Sequence, residues 1–451
     1  APNVVAEMTH QSPGLEIPIV VRAPRIQAPA LPRHPWLFAI WMAVGSLVAV
    51  VAGLVLGLLA ATEASIGASR WTQSVQGHGR LQVFGFVATF VVALAFEFLV
   101  RLNGRPPFSA RVRLGVPASL GAGAILLAAA QVWHDSIGLL AYPGALLLLG
   151  GSAAFAVLTW RIPLARPIRI DPQPSFMRAA AAWLAVSAGL ALWGAAGAES
   201  GVVPLDISAA TIEVFLRGFV TLAIMGVGLR AFAGHLALKP PSASRQLIIY
   251  AALNASIVTW VLGIGPGDLA GRTWLLRIGD AGFAFALVAY AGWFGILGSL
   301  RRFRGGPRYA LLVPLAWTGA MVYAALLVAT AILPGGHGLG IYQEGAIRHT
   351  YLLGFIVPLM IAMAHVVLAR FALGYVPWEN ALTGGFFLVF AARPLRSLPF
   401  LFEEAPSTPS RWLLGIAGLL ALARLLLVAL VCGRTALLAT RRARHLAAHT
   451  H

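Results

Sequence analysis

Apolar residues along this chain gather into twelve long runs separated by short polar breaks, near 36–62, 80–102, 114–134, 136–160, 176–198, 208–233, 246–265, 274–300, 308–333, 347–372, 380–400 and 411–438. A helix needs roughly 20 mostly apolar residues to cross ~30 Å of hydrocarbon, so each run predicts one membrane span. The eleventh is the weakest, because Pro394 and Pro399 with Arg393 and Arg396 interrupt it.

Three of the runs open on related words. Span two begins Gly77-His78-Gly79-Arg80-Leu81-Gln82-Val83-Phe84-Gly85-Phe86, span six carries Arg217-Gly218-Phe219, and span ten carries Arg348-His349-Thr350-Tyr351-Leu352-Leu353-Gly354-Phe355. Anchored on their Gly-Phe pairs, the copies lie 133 and 136 residues apart. A repeat of that length holds four spans. The fold class expected is therefore an all-α polytopic membrane protein of about twelve transmembrane helices, arranged as three four-helix repeats with spans two, six and ten equivalent.

Composition agrees with this reading: 59% of the 451 residues are hydrophobic, only 11% are charged, and the mean hydropathy is +0.82. The net charge of +18 would suit a nucleic-acid binder, but its placement argues for no nucleic acid and for a lipid bilayer as the partner. With the N-terminus taken as cytoplasmic, the inner segments hold 23 Lys or Arg and the outer loops five: Arg70, Arg272, Arg393, Arg396 and Arg411. This is the positive-inside asymmetry that orients membrane proteins. It predicts a multi-pass protein of the bacterial cytoplasmic (inner) membrane with both termini cytoplasmic. The three arginines placed before the last span run against the trend.

Residues 1–35 are polar and Pro-rich and read as a cytoplasmic tail, 36–438 as the membrane domain and 439–451 as a basic cytoplasmic tail. No apolar stretch with a cleavage site precedes residue 36, so the first helix reads as uncleaved. The single cysteine, Cys432, rules out disulfides, thiolate zinc sites and Cys-x-x-Cys-His haem attachment within the chain. Phosphate loops, His-Glu-x-x-His and Gly-x-Ser-x-Gly are absent. The Ile264-Gly265-Pro266-Gly267 segment reads as a turn.

Ionisable groups inside a membrane face the protein interior or an aqueous cavity. Here they recur at one depth: Arg80, Glu213 with Arg217, Arg277 with Asp280, and Arg348 with His349 sit near the outer ends of even-numbered spans. The bland reading is interfacial anchoring by snorkelling side chains; the sharper one is a ring of cations for the propionates of a haem. His78, His134, His337 and His349 fall on the outer side, His235 and His365 near inner ends, and His10, His34, His445, His449 and His451 in the cytoplasm. Imidazole is the usual non-thiolate ligand for haem iron and copper. His78 and His349 share a depth and a repeat position, which makes them the candidate axial pair. The alternative is a hydrogen-bonded interfacial role for each. His235 and His365 could form an inner pair, although helix-end capping is the simpler reading. His349 and His365 are 16 residues apart, about 24 Å along a helix, too far to share one metal. His134, Asp135, His337 and Glu344 with His78 offer a weakly specified copper site.

At these residues the chain resembles the NnrS family, bacterial membrane proteins linked to the nitric-oxide response and described as haem- and copper-containing. The likeness covers most of the membrane body. It is most specific at His78 to Phe86, at Arg217 to Leu222 with Gly226 to Arg230, and at Arg348-His349 through Gly354-Phe355. The three-times-four arrangement is also similar to the haem–copper oxidase catalytic subunit, in architecture only. The resemblance implies haem b as cofactor, with copper as a further candidate. It assigns the metal-binding role to His78 and His349, places Arg80, Arg217 and Arg348 at the cofactor, and suggests other membrane or periplasmic redox subunits as partners. In the family the second helix typically opens with His-x-His; here His78 is kept and Arg80 replaces the second histidine. Counted from the Gly-Phe pair, Arg80 is the repeat equivalent of His349, and a guanidinium does not ligate iron.

Three functions follow as expectations: a haem-binding membrane protein in nitric-oxide handling or electron transfer, a non-catalytic membrane scaffold that has lost part or all of the cofactor site, and a small-molecule transporter. Transporters also carry internal repeats, commonly with broken helices near the midplane.

Overall fold

The computed structural model describes residues 36–61, 68–103, 105–162, 172–264, 272–302, 307–333, 341–402 and 407–448. The N-terminal segment 1–35, the turn residues Gly265, Pro266 and Gly267, and His10, His34, His337, His449 and His451 lie outside the described residues.

Twelve helices long and apolar enough to cross a membrane are described. They are α1 (Leu37–Ala61), α2 (68–102), α3 (Ala110–Val132), α4 (Ala141–Trp160), α5 (Pro172–Ala196), α6 (205–235), α7 (Ala243–Ile264), α8 (Thr273–Phe294), α9 (Arg308–Ile332), α10 (341–373), α11 (Glu379–Phe402) and α12 (Thr408–Ala448). The protein is an all-α polytopic membrane protein. Local signals mark several ends. Ser109 Oγ accepts the Val112 N–H at the start of α3, and Gly295 (φ 68) and Gly374 (φ 85) take the left-handed conformation that closes α8 and α10.

The twelve helices divide into three inside and nine around them. Of the most apolar window, 94% is buried in α2, 83% in α6 and 78% in α10, against 33–56% in the other nine. The nine form a closed ring. α3 packs on α4, α4 on α5, α7 on α8, α8 on α9 and α11 on α12, and α12 returns to α1. The remaining joints include a Trp183 to Asn254 hydrogen bond between α5 and α7 and an Arg308 to Asn380 one between α9 and α11. Leu47, Ile125, Leu146, Leu262 and Leu419 are exposed on this ring, as helices facing lipid require. Inside, Phe84 of α2 meets Phe215 of α6 edge-on at 5.1 Å, and the Thr221 and Tyr351 hydroxyls join α6 to α10 at 2.6 Å.

The repeat expected from the Gly-Phe pairs is physical. A Cβ on Gly85 would lie 2.9 Å from Val48 of α1, one on Gly218 would lie 2.7 Å from Trp183 of α5, and one on Gly354 would meet the α10-facing Gly319 of α9. Each glycine therefore admits the first helix of its own repeat at close range. At the same place each central helix opens into a π-helical turn, at Leu81–Ala88, Val214–Val220 and Leu352–Ile356. The Thr89 and Thr221 hydroxyls donate to the carbonyls five residues back, Phe84 and Leu216, at 3.2 and 2.8 Å. In α10 the following segment carries Pro358, which has no N–H to donate. Phe86, Phe219 and Phe355 are all buried.

One expectation needs correction. Arg393 and Arg396 do not lie in a loop before the last span: α11 runs without interruption from Glu379 to Phe402 with Pro394 and Pro399 inside it. Neighbouring helices let a membrane helix keep its course through proline. The two guanidiniums lie over Phe390 and Phe400 of the same helix, 5.1 and 5.4 Å from the ring centroids. The last helix also continues through 439–448, the segment read as a tail.

Candidate functional site

The polar residues singled out in the sequence meet where α2, α6 and α10 begin, in a layer that the π turns separate from the aromatic core. The position five residues before the repeated glycine holds Arg80, Glu213 and His349 in the three copies. Each faces a different chemistry.

Arg80 is buried and points to α3. It donates from Nη1 to Gln131 Oε1 at 2.6 Å, and Gln131 in turn donates to Gln76 Oε1 at 2.5 Å. Gln76 closes the arrangement on the Val203 backbone, donating to its carbonyl at 2.8 Å and accepting its N–H at 3.0 Å. His78 and Arg80 are two residues apart, about 200° around a helix, and they do face opposite ways. The structure does not bring Arg80 to the histidine pair.

Glu213 anchors an ion network between α6, α8 and α10. Its two oxygens accept from Arg217 Nε and Arg348 Nε, both at 2.8 Å. Arg217 also reaches Asp280 at 2.5 Å, and Arg348 reaches Glu344 at 3.0 Å. Thr330 donates to the second Asp280 oxygen at 3.3 Å. Trp260 and Phe283 lie 5.0 and 5.3 Å from the Arg217 guanidinium. Two of the cations assigned to a cofactor are thus held by protein carboxylates.

His349 faces α2. Its Nδ1 is bonded to the Gly345 carbonyl at 2.6 Å, which leaves Nε2 outward. His78 interacts with the backbone of Ala52 in α1. The two imidazoles lie within electrostatic reach of each other, and the Arg396 guanidinium acts on both. Trp71 and Tyr342, with ring centroids 5.9 Å apart, bridge the same two helices about two turns away. Of the five sequence-assigned residues, the structure joins Arg217 and Arg348 through Glu213 and holds Arg80 on Gln131, while His78 and His349 sit on the two helices that Trp71 and Tyr342 bridge.

The other histidines have separate settings. His365 uses both ring nitrogens, Nδ1 with the Ile361 carbonyl at 3.0 Å and Nε2 with Thr383 Oγ1 at 3.2 Å. His235 packs edge-on to Tyr309. His134 and Asp135 line a cavity of about 160 Å³ with Arg70, Gln73 and Ser200, whereas Glu344 belongs to the ion network. Among the described residues no three His, Cys, Asp or Glu side chains converge as a metal site.

Sequence reasoning did not single out Arg393, Arg396 and Arg424, the first two half-buried and the last buried. Nη1 of Arg393, Arg396 and Arg424 is buried with no hydrogen-bond partner. Arg424 is 2% exposed and sits 6.0 Å from the Phe86 ring. The signal available was the density of arginine in one apolar run of α11, which read instead as a loop. The glutamines of α2 and α3 were missed too, because neither carries charge or metal-binding chemistry. At the opposite end of α2, Glu97 is paired with Arg113 at 2.9 Å and Arg101 at 3.3 Å.

This arrangement defines a polytopic membrane protein with a buried polar layer over three central helices. No protein-family model matches the chain, and no curated protein matches it in sequence.

Proposed function

We propose that this chain is a haem-binding integral membrane protein of the kind the NnrS family represents, holding one b-type haem between His78 and His349 and acting in membrane electron transfer or nitric-oxide handling. What supports this reading is the placement of two histidines on equivalent central helices, α2 and α10, which the Trp71–Tyr342 ring contact bridges. The donor set fits the group. His349 is oriented through one ring nitrogen by a backbone carbonyl, the outer-shell contact common to metal-binding histidines, and its other nitrogen stays available. Beside the pair, Arg396 carries a buried N–H without an acceptor. A haem held by His78 and His349 would supply one-electron chemistry, which suits membrane electron transfer. Non-covalent binding is required, since Cys432 is the single cysteine. The charge asymmetry of the loops supports an inner-membrane location with cytoplasmic termini.

A second reading, a membrane scaffold without the cofactor, draws on Arg80, which stands where a second α2 histidine would be and is committed to Gln131. Absorption spectra of the purified protein, oxidised and dithionite-reduced, separate the two. Sharp Soret and α bands are expected; featureless spectra after expression with ample haem would sink the haem reading.

A further inference from the structure

Arginines in or at the ends of the described helices differ in whether a side-chain acceptor meets them. Arg80, Arg101, Arg113, Arg217 and Arg348 each have a glutamine or carboxylate acceptor. Arg393, Arg396 and Arg424 each keep a buried Nη1 without one. Desolvating a guanidinium without a counter-charge is expensive, and such groups mark binding sites and pathways in membranes. Arg424 stands apart, against Phe86 and Gly385. Arg393 and Arg396 belong together: they are three residues apart on α11 and therefore share one helix face. Arg396 acts on His78 and His349, and the Arg393 side chain lies against Gly354, five residues beyond His349 on α10. A Cβ at Gly354 would come within 2.6 Å of Arg393 Cδ, so the glycine is what lets the arginine lie along α10. Phe390 and Phe400 support the two guanidinium planes. Aromatic faces attract a cation but accept none of its in-plane hydrogen bonds. Each guanidinium thus keeps a buried N–H donor that no carboxylate of the described residues meets.

We propose that Arg393 and Arg396 form a carboxylate-binding site on the face of α11 that packs against α10. A planar carboxylate accepts two parallel N–H donors from one guanidinium, and two such groups match the two charges. Two sources supply that chemistry. One is the pair of propionates on the haem, an assignment that rests on the function proposed above; the other is a free small carboxylate.

Two measurements on the purified full-length protein test the site. In the first, haem-free protein is titrated with sodium formate while its unfolding temperature is followed. An upward shift is expected in the wild type and none in Arg393→Gln/Arg396→Gln at the same salt concentration. In the second, haem and its dimethyl ester, whose propionates are blocked, are bound in parallel. The wild type should hold haem at least tenfold more tightly than the ester, and the double Gln variant should lose that preference. Arg393→Lys/Arg396→Lys, which keeps both charges, should behave between the two and serves if the Gln variant does not fold. A formate response alone identifies a free carboxylate as the source. If neither haem nor ester binds, the haem reading fails and the formate titration alone decides the site. If haem binds with no preference over its ester and formate has no effect, the arginine site is overturned while the haem reading stands.

Discussion

Arg348 of α10 donates from Nε to Glu213 Oε1 of α6 at 2.8 Å, which sets the residue before His349 against the carboxylate that occupies the histidine's place in the preceding repeat. This bond fixes the rotation of the first turns of α10, and with it the direction in which His349 looks. The ion network is therefore a positioning device for the imidazole as much as a source of stability.

His349→Ala and His78→Ala should each abolish the reduced-minus-oxidised haem spectrum while the protein still accumulates in the membrane. His365→Ala should leave the spectrum unchanged, because both its ring nitrogens are already bonded to Ile361 and Thr383. Loss of the spectrum in the His365 variant together with its survival in the His349 variant would put the haem at the other end of the bundle.

Glu213→Gln should destabilise by about 3–5 kcal/mol, the usual cost of removing one partner from a buried ion pair. Arg217 and Arg348 both lose their shared carboxylate. Adding Arg348→Gln should restore part of the loss, since the uncompensated cation goes with it, and the two changes should be non-additive by about 0.5–3 kcal/mol. Thermal unfolding in detergent of the two single variants and the double variant checks this. Strict additivity would mean that the two residues do not act as a pair.

The path of the chain through the membrane was largely legible in the sequence, and the reasons are specific. The run read at 246–265 is bounded by polar breaks and fell within three residues of α7 at each end. The run at 80–102 missed twelve residues of α2, because Ala68–Arg80 is polar and its burial comes from neighbouring helices rather than from lipid. For the site, the recurrence of Gly-Phe led to His78 and His349 through chain position alone. Nothing in the local sequence separates a paired arginine from an orphaned one: Arg217 owes its partners to Glu213 one turn back and Asp280 on another span. Arg393 and Arg396 were misplaced because prolines that end helices in water do not end them among packed membrane helices.

Gly319→Ala should prevent accumulation of folded protein or cost more than about 3 kcal/mol, by overpacking against backbone. Its Cβ would fall on the Gly354 carbonyl of α10, which cannot yield without parting α9 from α10. Gly189→Ala, on α5, is the matched control. A Cβ there meets nothing within 4 Å, and the exchange should be neutral or gain up to about 1 kcal/mol from helix propensity. Equal unfolding temperatures for the two variants would contradict the close approach of α9 and α10.

Arg424→Met should raise the unfolding temperature by a few degrees. It exchanges a 2% exposed guanidinium with an unpartnered Nη1 for an apolar side chain of similar length, and such replacements in buried settings are often stabilising by about 1–4 kcal/mol. A lowered unfolding temperature would show that the contact with Phe86 and the Nε bond to the Ala421 carbonyl outweigh the desolvated charge.

The π turns have a consequence for how one scaffold hosts three chemistries. A π turn accommodates one residue beyond the α-helical count, and each residue advances a helix by about 100°. Residues before Gly85, Gly218 and Gly354 are therefore out of phase with those after them. Each central rod acts as two cylinders coupled through a clutch: the lower one keeps its aromatic teeth meshed in the core, while the upper one is free to be indexed separately. A glutamine-bound arginine, a glutamate and a histidine can then occupy one position in three copies without any change in the gearing beneath.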